Sequence, residues 1–299
     1  MILAAVEGPR SRLLPDGRRR HLSDGPIDLV IEAFGDADAV ADAYGRAERR
    51  FRTVLTELVT ELPRLRRPLA ESDAPFKGAV ALRMARAVAR FPGEFVTPMA
   101  AVAGAVADEI LQVMRAEADL AKAYVNNGGD IALHLSQGQE MRLGLLPEAL
   151  SPDPELGARG LVRLRADRGV GGVATSGAGG RSFSLGIADA VTVLAADAAM
   201  ADAAATLIAN AVDVASPLIR RRPAESLDPD SDLGQRLVTV EVPRLPESLV
   251  ETALEDGLRL ARRMRRGGQI VAAALSLQGR HRICGDQSLG ARQKPAIPA

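Results

Sequence analysis

Apolar positions along the chain switch between two periods. In "IDLVIEAF" (27–34) they alternate, as a half-buried strand requires. From Asp36, placed to cap a first turn, they recur at three- and four-residue spacing, which predicts a helix to about Leu62. After a proline-broken loop, "FKGAVALRMARAVARF" (76–91) predicts a second helix. "TPMAAVAGAVADEILQVMRA" predicts a third, with Thr97 as N-cap and Pro98 at the first helical position, where its missing N–H costs nothing. Ala and Gly dominate its first three turns, so another backbone or a ligand can come close.

Further on, "DIALHL" (130–135), "MRLGLL", "LVRLRAD", "ADAVTVLAA" (188–196), "RLVTVEV" (236–242) and "QIVAAALSLQG" read as strands. "AMADAAATLIANAV" (199–212) reads as a second small-residue helix, and "PESLVETALEDGLRLARRMRRGG" as a last helix. Its basic final turn and following glycines suit the helix dipole and a C-cap better than a binding patch. This interleaving predicts an α+β fold in one domain over 27–283, with a Pro/Asp-rich linker at 217–235. A flexible basic arm over 1–26 and a disordered tail over 284–299 flank it. The two Ala-rich helices, each close to a Gly-rich segment, suggest an internal duplication.

Composition narrows the function classes. Aromatic residues make up 3% of the chain with no Trp, too few rings for a surface that reads nucleic acid by stacking. Lys+Arg and Asp+Glu are both 38, so no global field draws the chain to nucleic acid or to an acidic membrane. The single Cys284 excludes an intramolecular disulfide and a cysteine-rich zinc site. The N-terminal Arg cluster follows the short apolar start, the reverse of a secretory signal. The Ala/Val-rich stretch 185–216 is interrupted by Asp189, Asp197, Asp202 and Asp213. The expectation is a soluble, cytoplasmic protein.

Candidate chemistry lies in three segments. In "NNGGD" (126–130), Gly128 and Gly129 can take positive φ, and Asn126, Asn127 and Asp130 can bond locally or to a ligand. A helix C-cap followed by a tight turn accounts for the same residues. In "VATSGAGG" (173–180), the hydroxyls of Thr175 and Ser176 beside Gly177 suit a phosphate or sugar contact; the alternative is an inter-strand loop. In "ADAAAT" (201–206), Asp202 and Thr206 share one helix face and offer two hard oxygen ligands of the kind Mg²⁺ accepts. A solvated Asp beside a Thr bonded to its own helix is the other reading. No GxGxxG or GxxxxGK[ST] phosphate loop is present.

Taken in order, "TPMAAVAG" (97–104), "NNGGDI" (126–131), "ATSG" (174–177), "ADAVTVLA" (188–195) and "ADAAAT" (201–206) resemble the ApbE superfamily of Mg²⁺-dependent FAD:protein FMN transferases. The resemblance implies an ApbE-like fold of two related α/β halves packed around a central cleft with a flavin nucleotide, FAD or FMN, between them. It implies Mg²⁺ held by Asp202, Thr206 and a backbone carbonyl near Ala100. The nucleotide would meet Thr97, Asn127, Gly128, Gly129, Asp130, Thr175, Ser176 and Gly177. The partners are then a small-molecule nucleotide, an acceptor protein and a second copy of the chain; nucleic acid and membrane are not among them.

The chain is closer to a cytoplasmic branch of that superfamily than to the transferases themselves. Where they carry "DxGxxAKG", Thr97 and Ala103 align with the acidic residue and the Lys. Where they carry "HxIDPxTG", "RSFSLGIADA" keeps Asp189 and offers Ser184 in place of the His, with Arg181 and Ser182 free to contact phosphate. FAD cleavage or FMN transfer is one expected function. A non-catalytic flavin- or ligand-binding protein on the same fold is the other.

Overall fold

The computed structural model describes residues 8–71, 74–144, 161–180 and 182–285. Its centre is a sheet ordered β1 (Arg10–Leu13), β2 (Arg20–Asp24), β3 (Ile27–Gly35), β4 (Leu120–Asn127), β5 (Asp130–Leu135), β8 (Gly172–Ser176), β9 (Ala190–Ala195), β12 (Ala272–Leu277), β13 (Arg280–Cys284). Every pairing within it is antiparallel. Two ribbons stand apart: β6 (Glu140–Gly144) with β7 (Leu161–Arg165), and β10 (Arg220–Pro223) with β11 (Leu237–Glu241). Five helices, α1 (Ala37–Leu65), α2 (Ala79–Val88), α3 (Val102–Arg115), α4 (Ala198–Ala211) and α5 (Glu247–Arg266), bury their apolar stripes in one core. Alternate strand residues complete it: Ile31 and Ala33, Ala123 and Val125, Ala132, Ala174, Val191 and Val193, Ala273 and Leu275. The residues between them face the other side, where Leu133, Val173, Leu194 and Ala272 form a smaller core with Leu164 of β7. No helix among the described residues is long and apolar enough to cross a membrane.

The sheet is one plan laid down twice. β2–β3, α1, α3, β4–β5 is followed by β8–β9, α4, α5, β12–β13, each a four-stranded unit with two helices between its second and third strands. The first copy inserts α2 between its helices and the second inserts the β10–β11 ribbon. The two related halves are therefore real, but the Ala-rich helices are not equivalents. Chain order equates α1 with α4 and α3 with α5, and α3 meets α4 at the junction of the halves. Their small residues serve that meeting. A Cβ on Gly104 would lie 2.2 Å from the Ala198 carbonyl oxygen, and one on Gly172 would lie 2.2 Å from the Ala198 nitrogen. The backbone that comes close to these small residues is the protein's own.

Several expected boundaries move. The arm over 1–26 is corrected: β1 and β2 belong to the sheet, and Leu22 is fully buried, worth about 1.5–3 kcal/mol of attachment. Asp16 turns the chain between them by accepting the amides of Arg18 and Arg19. Residues 1–7 lie outside the described residues, as do 286–299 of the expected tail; Cys284 itself is buried at the end of β13. The linker 217–235 contains β10, and its partner β11 is a strand outside the main sheet. The third helix opens as a 3₁₀ turn, Pro98–Ala101, and becomes α-helical only at Val102, because Ala101 sits at φ −125°.

Candidate functional site

The hairpin joining β4 to β5 accounts for "NNGGD". Asn127 and Asp130 are the last pair of the ladder, which leaves Gly128 and Gly129 as a two-residue turn with φ of 64° and 114°. Such turns favour residues free to take positive φ. Asn126 Oδ1 accepts the Gly129 N–H at 2.8 Å and closes the turn. Asn127 points to the helical side, where its Nδ2 donates to the Ala103 carbonyl in the first turn of α3 at 3.1 Å. Asp130 Oδ1 accepts the Thr175 N–H at 3.3 Å, linking β5 to β8 across the junction of the halves. A Cβ on Gly129 would meet nothing within 4 Å, so the demand there is conformational. The helix C-cap reading of this stretch is replaced by a strand, β4, which runs through both asparagines.

Above the hairpin, α3 and α4 cap each other. Asp202 of α4 reaches the first turn of α3, where its Oδ2 accepts the Gly104 N–H at 3.0 Å. Asp108 of α3 returns the contact, accepting the Ala198 and Ala199 amides at 3.0 and 2.8 Å. Burial pushes the Asp108 carboxyl up to about 7, against the pull of those two amides. Asp202 is pushed well above the usual carboxylate range, first by desolvation and next by the charge of Asp130; the Gly104 and Ala103 amides oppose this.

Asp202 thus meets the start of α3 beside the Asn127 amide, and the charge of Asp130 adds to the upward push on its carboxyl. Like charges near one another raise the cost of ionising either, a cost that a cation or a proton relieves. Thr206 lies one turn beyond Asp202 on the same helix and is partly exposed. Ala100 lies in the 3₁₀ turn just before the break at Ala101, so its carbonyl sits at the junction of two helical geometries. Carboxylate, hydroxyl and carbonyl oxygens are the hard donors that Mg²⁺ accepts. Among the described residues no three or more His, Cys, Asp or Glu side chains cluster as a metal site, so an ion here would draw on such mixed oxygens.

The other expected site residues are distributed unevenly. Ser176 is half-buried and alternates onto the helical side with Ala174. The Thr175 hydroxyl points to the opposite face, where it meets the Thr192 hydroxyl at 2.8 Å, so only its amide serves the cluster. Gly177 is buried, and a Cβ there would lie 2.4 Å from the Asp189 carbonyl oxygen, so it serves a close backbone approach. Thr97 is buried and its hydroxyl donates to Asp232 instead of capping a helix. Asp189 accepts the Gln278 N–H at 2.6 Å; burial raises its carboxyl, with His281 opposing. The Ser184 hydroxyl accepts the Gly186 N–H at 3.2 Å and lies 3.5 Å from Asn210 Oδ1. Arg181 lies outside the described residues. Sequence reasoning passed over Asp108, although "GAVAD" (104–108) and "AAMAD" (198–202) repeat one spacing between a close-packed small residue and an acid.

A doubled four-stranded unit with paired helices, whose halves meet where Asp202 and Asp108 cap the first turns of α3 and α4, defines the class of protein. Residues 11–283 match the family described as AbpE bacteria, and the chain belongs to it. It is 37% identical over 164 residues to a UPF0280 protein of Methanothrix thermoacetophila, covering 54% of this chain and 65% of that one. It is 41% identical over 117 residues to UPF0280 protein MJ1526 of Methanocaldococcus jannaschii, covering 39% and 45%. These matches therefore span about half to two thirds of the relatives' own length. The solved structure of Pseudomonas stutzeri flavinyl transferase ApbE, apo form, superposes with a TM-score of 0.51 at 14% identity, covering 98% of this chain and 100% of that one. The fold is the ApbE fold.

Proposed function

We propose that the protein binds a flavin nucleotide with Mg²⁺ in the cleft between the hairpin turn and the α3–α4 junction, and acts there on the pyrophosphate of FAD. The observation that carries this reading is geometric: the half-buried Asp202 of one half accepts the Gly104 N–H at the start of α3, beside the Ala103 carbonyl that Asn127 of the hairpin holds. The flavin comes from the likeness to a flavinyl transferase, and the work would be done in the cytoplasm. Asp202, Thr206 and the Ala100 carbonyl would hold the ion, which when bound supplies charge neutralisation to a pyrophosphate. Asn127 fixes the first turn of α3 through Ala103, and so fixes the amides that hold Asp202. Asp130 keeps the end of β8 in place through Thr175. Ser176 is the hydroxyl best placed to donate to a phosphate oxygen.

Proton transfer is where this chain is poorly equipped. The two residues aligned with the family's His and Asp are engaged elsewhere, Ser184 with its own loop and Asp189 with Gln278. General acid–base help is typically worth about 10²–10⁴-fold. FAD cleavage, or FMN transfer to an acceptor peptide, should therefore run well below ordinary turnover of about 1 s⁻¹ or faster. AMP release and flavinylation followed from pH 5.5 to 9 test this; the expected profile has no inflection between about 6 and 7. Fast turnover with an inflection near 6.5 contradicts it. Those same two engaged residues favour the second reading, a flavin-binding protein without catalysis, which predicts bound FAD and no AMP release.

A further inference from the structure

On the helix-free face of the sheet, a cavity of about 640 Å³ opens between β3–β4–β5 and the β6–β7 ribbon. Phe34, Lys122 and Tyr124 line its floor, alternating along their strands with Ala33, Ala123 and Val125 of the helical core. They therefore point away from the nucleotide cleft. Met141 and Arg142 of β6 form a wall. The volume falls in the range of small-ligand sites, about 300–1,000 Å³.

The charges in this cavity do not cancel. Glu32 is matched by Arg18 at 3.6 Å and hydrogen-bonds with the Tyr124 hydroxyl. Glu140 is held by Arg163, whose Nε donates at 2.6 Å. Both carboxylates are thus answered by arginines that do not line the cavity. The Lys122 ammonium lies 4.5 Å from the Phe34 ring centroid, and Arg142 is exposed. Among the described residues neither cation has an acidic partner.

A ring-bearing floor with two cations that no acid answers fits one ligand chemistry. We propose that this cavity is a second binding site, taking a small flat aromatic anion: the ring lies over Tyr124 beside the Lys122–Phe34 pair, and the anionic group meets Lys122 and Arg142. The inference is independent of what occupies the cleft on the other face.

The probe is 1-anilinonaphthalene-8-sulfonate, titrated by fluorescence into the full chain, beside N-phenyl-1-naphthylamine, which has the same rings and no charge. Saturable binding of the sulfonate is expected, weakened about tenfold when both Lys122→Gln and Arg142→Gln are present, since each partly exposed pair contributes modestly. The neutral dye should bind both proteins equally, and saturating FAD with Mg²⁺ should displace neither dye. Arg142→Glu alone, at an exposed position, should give the same direction of change if the double variant does not fold. Equal sulfonate affinity in wild type and variants, displacement by FAD, or no saturable binding would overturn the proposal.

Discussion

Asp108 and Asp202 perform the same structural task in different surroundings. Each reaches from one central helix to the first turn of the other, four residues beyond the point where the helices touch. Asp108 spends both carboxylate oxygens on amides, at 3.0 and 2.8 Å, within the helix packing. Asp202 takes the Gly104 amide on Oδ2, is held by the Ala103 amide as well, and feels the charge of Asp130, a second acid delivered by the hairpin of the other half. Both carboxyls are raised by burial and by a nearby acid: Asp197, which caps the same end of α4, beside Asp108, and Asp130 of the hairpin beside Asp202. The contrast separates an acid whose charged neighbour belongs to the helix packing from one whose charged neighbour belongs to the hairpin, the one assigned to the proposed site.

The largest expected effect tests the contact on which both caps depend. Gly104→Ala would drive a Cβ into the Ala198 backbone at 2.2 Å, where no flexible side chain can yield. Overpacking typically costs 1–3 kcal/mol, and a rigid backbone neighbour places this variant at about 3 kcal/mol or beyond, measured by urea unfolding. A loss below about 1 kcal/mol would show that the helices are free to separate.

Next is Asp108→Asn, which leaves one of two amides facing a donor and should cost about 1–3 kcal/mol. The pH dependence carries the sign. The folded carboxyl, at about 7, lies above its ordinary 3.8, so folding favours the neutral form. That contribution is fully present below about pH 4 and is lost as pH rises through about 7. Wild-type stability relative to the Asn variant should therefore fall across that window in parallel urea melts; a flat difference would contradict the burial of this acid.

The smallest effects concern the hairpin. Asn127→Ala removes the bond to the Ala103 carbonyl and should cost about 0.5–1.5 kcal/mol. Gly129→Ala, with free space but φ at 114°, should cost about 1 kcal/mol. If the hairpin serves the cleft through α3, Asn127→Ala will lower FAD affinity more than Gly129→Ala does at matched stability. Equal affinities, read by flavin fluorescence quenching, would reduce the hairpin to a scaffold.

How much of this was legible in the sequence depended on what each residue had to announce. Strands and helices with apolar periodicity, such as 27–34 and 199–212, were found nearly in place. β1, β2 and β13 were not, because "RSRL", "RHLSD" and "RHRIC" are polar strands held mainly by ladder hydrogen bonds and a few buried residues such as Leu22. β4 was lost because its last residues are asparagines, which read as a turn while they pair with Ile131 and Asp130. In the site, the order of motifs pointed to Asp202 and Asp130, since carboxylates next to small residues are informative on their own. It could not show that the Thr175 hydroxyl and Thr97 serve elsewhere, because sheet face and a partner as distant as Asp232 are tertiary facts.

The most direct test is calorimetric titration of FAD, with and without Mg²⁺, into wild type, Asp202→Asn and Asp108→Asn at a temperature where all three are folded. Wild type and Asp108→Asn should bind FAD more tightly when Mg²⁺ is present, while Asp202→Asn should show the same affinity with and without the ion. Mg²⁺-dependent binding that survives in Asp202→Asn, or disappears equally in Asp108→Asn, would contradict the assignment of Asp202 to the cleft.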